Sequence, residues 1–125
     1  MHAVVTGASR GIGRELVKQL TEAGHEVTGT SRDHSSGVRL DVCDSGQQAR
    51  FAAHLGDKPV DLLVCNAGVY IDKGMALEAY TTEALTQPMA VNLTRVLLTV
   101  PARLPNLPLL AAQQTANIAT TYNRP

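Results

Sequence analysis

Residues 6–13 read Thr6-Gly7-Ala8-Ser9-Arg10-Gly11-Ile12-Gly13. They lie between a short apolar run, Ala3-Val4-Val5, and a segment with two faces at helical spacing: Ile12, Leu16, Val17, Leu20 and Ala23 on one, Glu15, Lys18, Gln19 and Glu22 on the other. A strand that turns through glycines into a helix N-terminus offers a site for a dinucleotide phosphate. The first N–H groups of such a helix lack acceptors and carry the positive end of its dipole. One glycine permits the sharp turn, another lets the backbone approach the pyrophosphate, and the third lets the helix pack closely on the strand. The spacing matches neither G-x-G-x-x-G nor the phosphate loop G-x-x-x-x-G-K-[ST], so the surroundings must support the reading. They do: Gly24 is placed to end the helix, and a second strand over 26–30 follows at the distance a βαβ unit requires.

The chain has 125 residues, 44% of them hydrophobic, which fits a single domain over 1–125 built on one sheet. With 11 basic and 11 acidic residues the formal net charge is zero, which argues against a general binder of nucleic acid or of membrane surfaces. No apolar run approaches the ~20 residues of a membrane span, and the first strand begins at once, leaving no room for a signal peptide. A cytoplasmic protein is therefore expected. Cys43 and Cys65 are too few and too far apart for a zinc site, and a disulfide is not expected in a reducing compartment. His2, His25, His34 and His54 show no metal-ligand spacing; no metal is expected, and the histidines are assigned to strand ends and solvated faces. Aromatic residues make up 3% of the chain, which leaves the core to Val, Leu, Ile and Ala.

Apolar strands alternating with helical patterns predict an α/β fold with a doubly wound parallel sheet. The strands fall over 2–6, 26–30, 38–40, 61–65 and 115–119. Helices are expected over 12–23, over 47–55 behind an N-cap at Asp44 or Ser45, and over about 82–103, with Pro88 and Pro101 blurring the ends of the last. Only about seven residues, 31–37, join the second and third strands; extended, they span roughly 23 Å, so a loop is expected where a crossover helix would normally lie.

Four further features fall in order behind the glycine loop. Ser31-Arg32 closes the second strand, where an NAD site places a carboxylate on the ribose 2′-hydroxyl. No acid stands at Ser31, whereas Arg32 and the loop's Arg10 could both pair with a 2′-phosphate; the alternative is two solvated arginines. Asp41, with Val42, ends the third strand, where its carboxylate could accept from an adenine amino group or serve as a turn or cap. Asn66-Ala67-Gly68 follows the fourth strand, on the carboxyl edge of the sheet where ligands of open α/β folds bind. Asn92 lies within an otherwise apolar helical stretch and needs a partner.

This ordered set resembles the short-chain dehydrogenase/reductase family. The TGxxxGxG loop matches at Thr6 to Gly13, the strand-ending acid at Asp41, the NAG motif at Asn66 to Gly68, and the helical asparagine at Asn92. The resemblance implies a Rossmann-like sheet of about five strands in the order 3-2-1-4-5. It places Gly7, Ser9, Arg10, Gly11, Ile12 and Gly13 against the pyrophosphate and ribose, Ser31 and Arg32 at the 2′-position, and Asp41 and Val42 at the adenine. Asn66, Ala67 and Gly68 fall below the nicotinamide ribose. NADP is expected rather than NAD, with a small carbonyl or alcohol as substrate.

Members of the family reduce a carbonyl or oxidise an alcohol by hydride transfer, with a Tyr as proton donor or acceptor, a Lys four residues later that lowers its pKa, a Ser that polarises the substrate oxygen, and an Asn that holds a relay water. An unperturbed phenol titrates near pH ~10 and needs that cation to act at neutrality. By the resemblance Asn92 takes the Asn role and Thr120, at the end of the fifth strand, the Ser role, with Thr121 a second candidate. The Tyr and Lys would follow about a dozen residues beyond Thr120. Tyr122, Tyr70 with Lys73, and Tyr80 lack the required spacing. The expectation is a chain truncated on its C-terminal side, with the fifth strand as an open edge and an apolar face over 93–110 that favours a homo-oligomer. Two functions compete: an NADP(H)-dependent oxidoreductase, and an NADP-binding sensor or scaffold without chemistry. A fragment that binds nothing is a third.

Overall fold

A computed structural model of the protein describes residues 1–33, 35, 37–68, 76–79, 81–90 and 92. Four strands form one parallel sheet: β1 (His2–Val5), β2 (Glu26–Ser31), β3 (Val38–Arg39) and β4 (Leu62–Val64), in the order β3-β2-β1-β4. This is the Rossmann-like winding expected from sequence as far as its fourth strand. The expected fifth strand lies outside the described residues, as do Thr120, Thr121, Tyr122, Tyr70, Lys73, Tyr80 and the 93–110 face.

The central strand explains the sheet. Ala3, Val4 and Val5 are 0% exposed, and an uninterrupted apolar run buried on both faces is what a parallel strand with neighbours on each side requires. Val4 sits opposite Thr28 of β2 and Leu63 of β4. Helix α1 (Gly11–Glu22) packs against β1 and β2, with Ile12, Leu16, Val17 and Leu20 half-buried and Glu15, Lys18, Gln19 and Glu22 exposed, as their spacing predicts. Ala23, assigned to the apolar face, is instead the exposed C-cap. The helix closes when the His25 N–H donates to Leu20 O at 3.0 Å and the Gly24 N–H to Thr21 O at 2.9 Å.

Helix α2 (Ser45–Leu55) contacts β3 and starts two residues before the expected position, because Asp44 takes the N-cap and its Oδ1 accepts from the Gln47 N–H at 2.9 Å. The core on this side comprises Val4, Leu40, Val42, Phe51, Leu55 and Val60. Phe51, the single phenylalanine, is 2% exposed and among the largest fully buried side chains, so the expectation of a purely aliphatic core is corrected. Its burial contributes about 2–3 kcal/mol.

Between β2 and β3 the described residues form a loop and no helix, as expected. The return is tight: Gly37 has φ 62°, and a Cβ there would overlap Gly29 O of β2. Only glycine allows Val38 to reach its register opposite Thr30.

His2 stands at a strand end, as expected, but it is buried rather than solvated, 6% exposed. Its Nδ1 lies 2.8 Å from Pro59 O and its Nε2 2.9 Å from Thr28 Oγ1, while its backbone N–H donates to Asp61 Oδ2 at 2.6 Å. The ring thus ties β1 to β2 and to the approach of β4 at the amino edge of the sheet, away from the glycine loop. Beyond β4 the described residues include a 3-10 turn at Leu77–Ala79 and helix α3 (Thr82–Met89), with π-helical geometry at Ala90 and Asn92. The remainder of the expected 82–103 helix lies outside the described residues. Among the described residues no helix is long and apolar enough to cross a membrane.

Candidate cofactor site

At the carboxyl edge of the sheet the chain leaves β1 through Thr6, which is 1% exposed. The Thr6 N–H donates to Val64 O at 2.9 Å, and Thr6 Oγ1 accepts from the Ala67 N–H at 3.1 Å. Asn66 returns the link: its Nδ2 donates to Thr6 O at 3.2 Å and to Gly7 O at 3.0 Å. The glycine loop and the Asn66-Ala67-Gly68 segment are therefore bonded in both directions. On the other flank the Ala8 N–H donates to Thr30 O at 2.7 Å, tying the loop to the end of β2.

Close packing accounts for two of the loop glycines. Gly7 has φ 69°, and a Cβ on it would lie 2.8 Å from Ala67 Cα. Gly13 is buried in the first turn of α1, where a Cβ would overlap both Gly7 O and Asn66 Nδ2. These contacts bring the α1 amino terminus directly against the loop. That terminus has no side-chain cap from Arg10 and no acid in its first turn, so its free N–H groups and dipole are left for an anion. Ser9 and Ile12 are half-buried beside it, and Gly11 opens the helix.

Arg10 precedes the helix and Arg32 follows β2; both are exposed and neither forms an ion pair among the described residues. The Ala8–Thr30 bond brings their two connectors side by side. Ser31 is 2% exposed, and its hydroxyl donates to Asp33 O. Asp41 Oδ1 accepts from the Cys43 N–H at 2.9 Å, and the Asp41 N–H donates to Gln47 Oε1 at 2.8 Å, so α2 fixes the end of β3. Val42, 8% exposed, belongs to the core cluster. Gly68 is exposed beside Asn92: a Cβ on Gly68 would lie 3.1 Å from Asn92 Oδ1. Cys65, at the mouth of this segment, is half-buried, and burial pushes its thiol pKa up to about 11.

Within the described residues, the loop, the Asn66-Ala67-Gly68 segment and Asn92 come together, and Arg10, Arg32 and Asp41 stand on adjoining connectors. Sequence reasoning did not single out Thr6 and Gln47 as residues that fix these connectors. Thr6 stands in the quoted loop, but its partners at Val64 and Ala67 are distant in the chain. A buried hydroxyl at a strand end between apolar residues is the only local signal.

Such a sheet edge defines a nucleotide-binding α/β protein of the Rossmann type. The family model for short chain dehydrogenases matches residues 1–122, and the chain belongs to that family of oxidoreductases, which use nicotinamide cofactors. It is 36% identical over 98 residues to the 3-oxoacyl-[acyl-carrier-protein] reductase MabA of Mycobacterium avium, a match covering 73% of this chain and 38% of that protein. Among solved structures it is similar to an NADPH-bound carbonyl reductase from chicken fatty liver, with TM-score 0.71, 26% identity, and 84% of this chain and 50% of that one covered. It is also similar to a 3-ketoacyl-(acyl-carrier-protein) reductase from Brucella melitensis complexed with NADH, with TM-score 0.74, 26% identity, and coverage of 84% and 49%. The chain thus spans half or less of the length of each.

Proposed function

We propose that this chain carries the cofactor half-site of an NADP(H)-dependent oxidoreductase that interconverts a carbonyl and an alcohol. One observation carries the reading. An uncapped helix N-terminus, without acid in its first turn, is held against a glycine loop with no room for a Cβ, and two guanidiniums without an ion pair among the described residues stand on the connectors beside it. This cradle fits a pyrophosphate, and the guanidiniums fit a dianion on the adenosine ribose.

The cofactor, when bound, supplies or accepts the hydride. The α1 N–H groups would hold the pyrophosphate, with Ser9 and Ile12 beside it, while Arg10 and Arg32 would meet the 2′-phosphate. Asp41, already oriented by Cys43 and Gln47, would present its second oxygen to the adenine amino group. Asn66, Ala67 and Gly68 would form the floor under the nicotinamide ribose. Asn92, beside Gly68, would orient a water at the reacting end, and Thr120 would polarise the substrate oxygen. A small-molecule carbonyl or alcohol, rather than nucleic acid or membrane, is the proposed substrate.

Titration of NADPH and NADH, followed by nicotinamide fluorescence, tests the reading. NADPH is expected to bind more tightly, and Arg32→Ala to weaken NADPH by about tenfold with little change for NADH, as loss of a charge-assisted contact implies. Equal affinity for both cofactors refutes the NADP assignment, and binding of neither refutes the site. Binding without turnover of simple ketones or aldehydes would favour a nucleotide-binding module over an enzyme.

A further inference from the structure

The loop that follows β2 carries an acid beside its base. Arg32 and Asp33 are chain neighbours and both are exposed. A free carboxylate at this place would oppose a 2′-phosphate in two ways. It could pair with Arg32 and so withdraw the guanidinium, and it would add negative charge where a dianion binds.

The structure engages one oxygen of the Asp33 carboxylate away from Arg32. Asp33 Oδ1 accepts from the backbone N–H of Ser35 at 3.0 Å and also from the Ser35 hydroxyl. The Ser31 hydroxyl donates to Asp33 O, which folds the peptide of residue 33 back over the end of β2. Arg32, one residue away, forms no ion pair among the described residues. The hydrogen bonds from Ser35, side chain first and backbone next, hold the Asp33 carboxyl below its ordinary range. The carboxylate therefore stays ionised, and it is retained by the turn rather than by its cationic neighbour.

We infer that Ser35 is a specificity-determining residue: by holding the Asp33 carboxylate in this turn it keeps Arg32 unpaired for the cofactor 2′-phosphate. Ser35 is a positioning residue, acting through Asp33 and Arg32. The inference rests on the NADP reading above and adds to it. An acid does stand two positions past Ser31, and a serine two residues further on holds one of its oxygens.

The test measures the affinity ratio of NADPH to NADH by titration calorimetry for the wild type, Ser35→Ala, Ser35→Thr, Asp33→Asn and the Asp33→Asn/Ser35→Ala double variant. Ser35→Ala is expected to lower the ratio by up to about fivefold, the upper end for an exposed charge pair, and by more at low salt. Ser35→Thr retains the hydroxyl and is expected to keep the wild-type ratio. In the Asp33→Asn background the effect of Ser35→Ala is expected to vanish, which loss of loop order alone would not produce. A ratio unchanged by Ser35→Ala, or lowered equally with Asn at position 33, overturns the role of Ser35 while leaving the NADP reading intact. A wild type that does not prefer NADPH overturns the NADP reading, and this inference with it.

Discussion

Replacing Gly13 by alanine adds one methyl group at the point where α1, the glycine loop and the β4 connector meet. Gly13 does not have a positive φ, so alanine is permitted by the backbone, and helix propensity alone would stabilise the variant by ~0.8–1.0 kcal/mol. The surroundings set the opposite sign. The new Cβ would overlap Gly7 O and Asn66 Nδ2 and lie 3.0 Å from Gly7 C. Gly7 O is backbone, and the Asn66 amide is committed to Thr6 O at 3.2 Å and Gly7 O at 3.0 Å, so neither can give way freely. Displacing that amide forfeits two hydrogen bonds at about 1 kcal/mol each, and overpacking adds about 1–3 kcal/mol. After the propensity gain, Gly13→Ala is expected to lose about 2–4 kcal/mol, read as a lower midpoint in urea denaturation, together with weaker NADPH binding. A variant as stable as the wild type, binding cofactor equally well, would refute the packing account, since propensity and packing here predict opposite signs.

Two further outcomes follow from buried groups. Thr30 is 0% exposed and its Oγ1 has no hydrogen-bond partner among the described residues, so Thr30→Val, which keeps the shape and removes the orphaned hydroxyl, is expected to stabilise by about 1 kcal/mol in urea denaturation; a destabilised variant would mean that the hydroxyl is bonded. Because burial pushes the Cys65 thiol up to about 11, iodoacetamide at pH 8 is expected to leave Cys65 unmodified in the native protein and to label it once urea is added. Equal labelling rates in the two states would contradict the burial.

The parts of the fold that sequence alone disclosed are those written in local patterns. The apolar run at Ala3-Val4-Val5, the two faces of α1 and the turn at Gly24 each declare themselves within a few residues. That the described residues before β3 form a loop and no crossover helix was legible from chain length. Departures occur where distant partners intervene. His2 reads as a polar residue at a strand start, but Pro59 and Thr28 supply acceptor and hydroxyl for its ring, which lets it be buried. Phe51 is the chain's single phenylalanine and drew no notice in an otherwise aliphatic core, yet it belongs to the core cluster. In the site, the glycines and Asn66 were legible as a motif. The full reason Gly13 must be glycine was not, because one of the two atoms its Cβ would strike, Asn66 Nδ2, is distant in the chain. Asp33 escaped notice because an acid two residues past the strand end acquires meaning only when its bond to Ser35 is seen.

The reciprocal bonds between Thr6 and the Asn66-Ala67 segment also bear on how the protein folds. Thr6 O and Asn66 are 60 residues apart in the chain, and Thr6 Oγ1 and Ala67 are 61 apart. The glycine loop, which looks like a local motif, can thus take its final shape only after β4 has docked beside β1. Closing so long a span is a slow, late event relative to forming α1. A ligand that needs the finished loop selects molecules in which the whole β1–β4 span is in place, and its binding resists opening of that span. The shape of the glycine loop is therefore a readout of global assembly, even though its own residues lie within the first 13 positions.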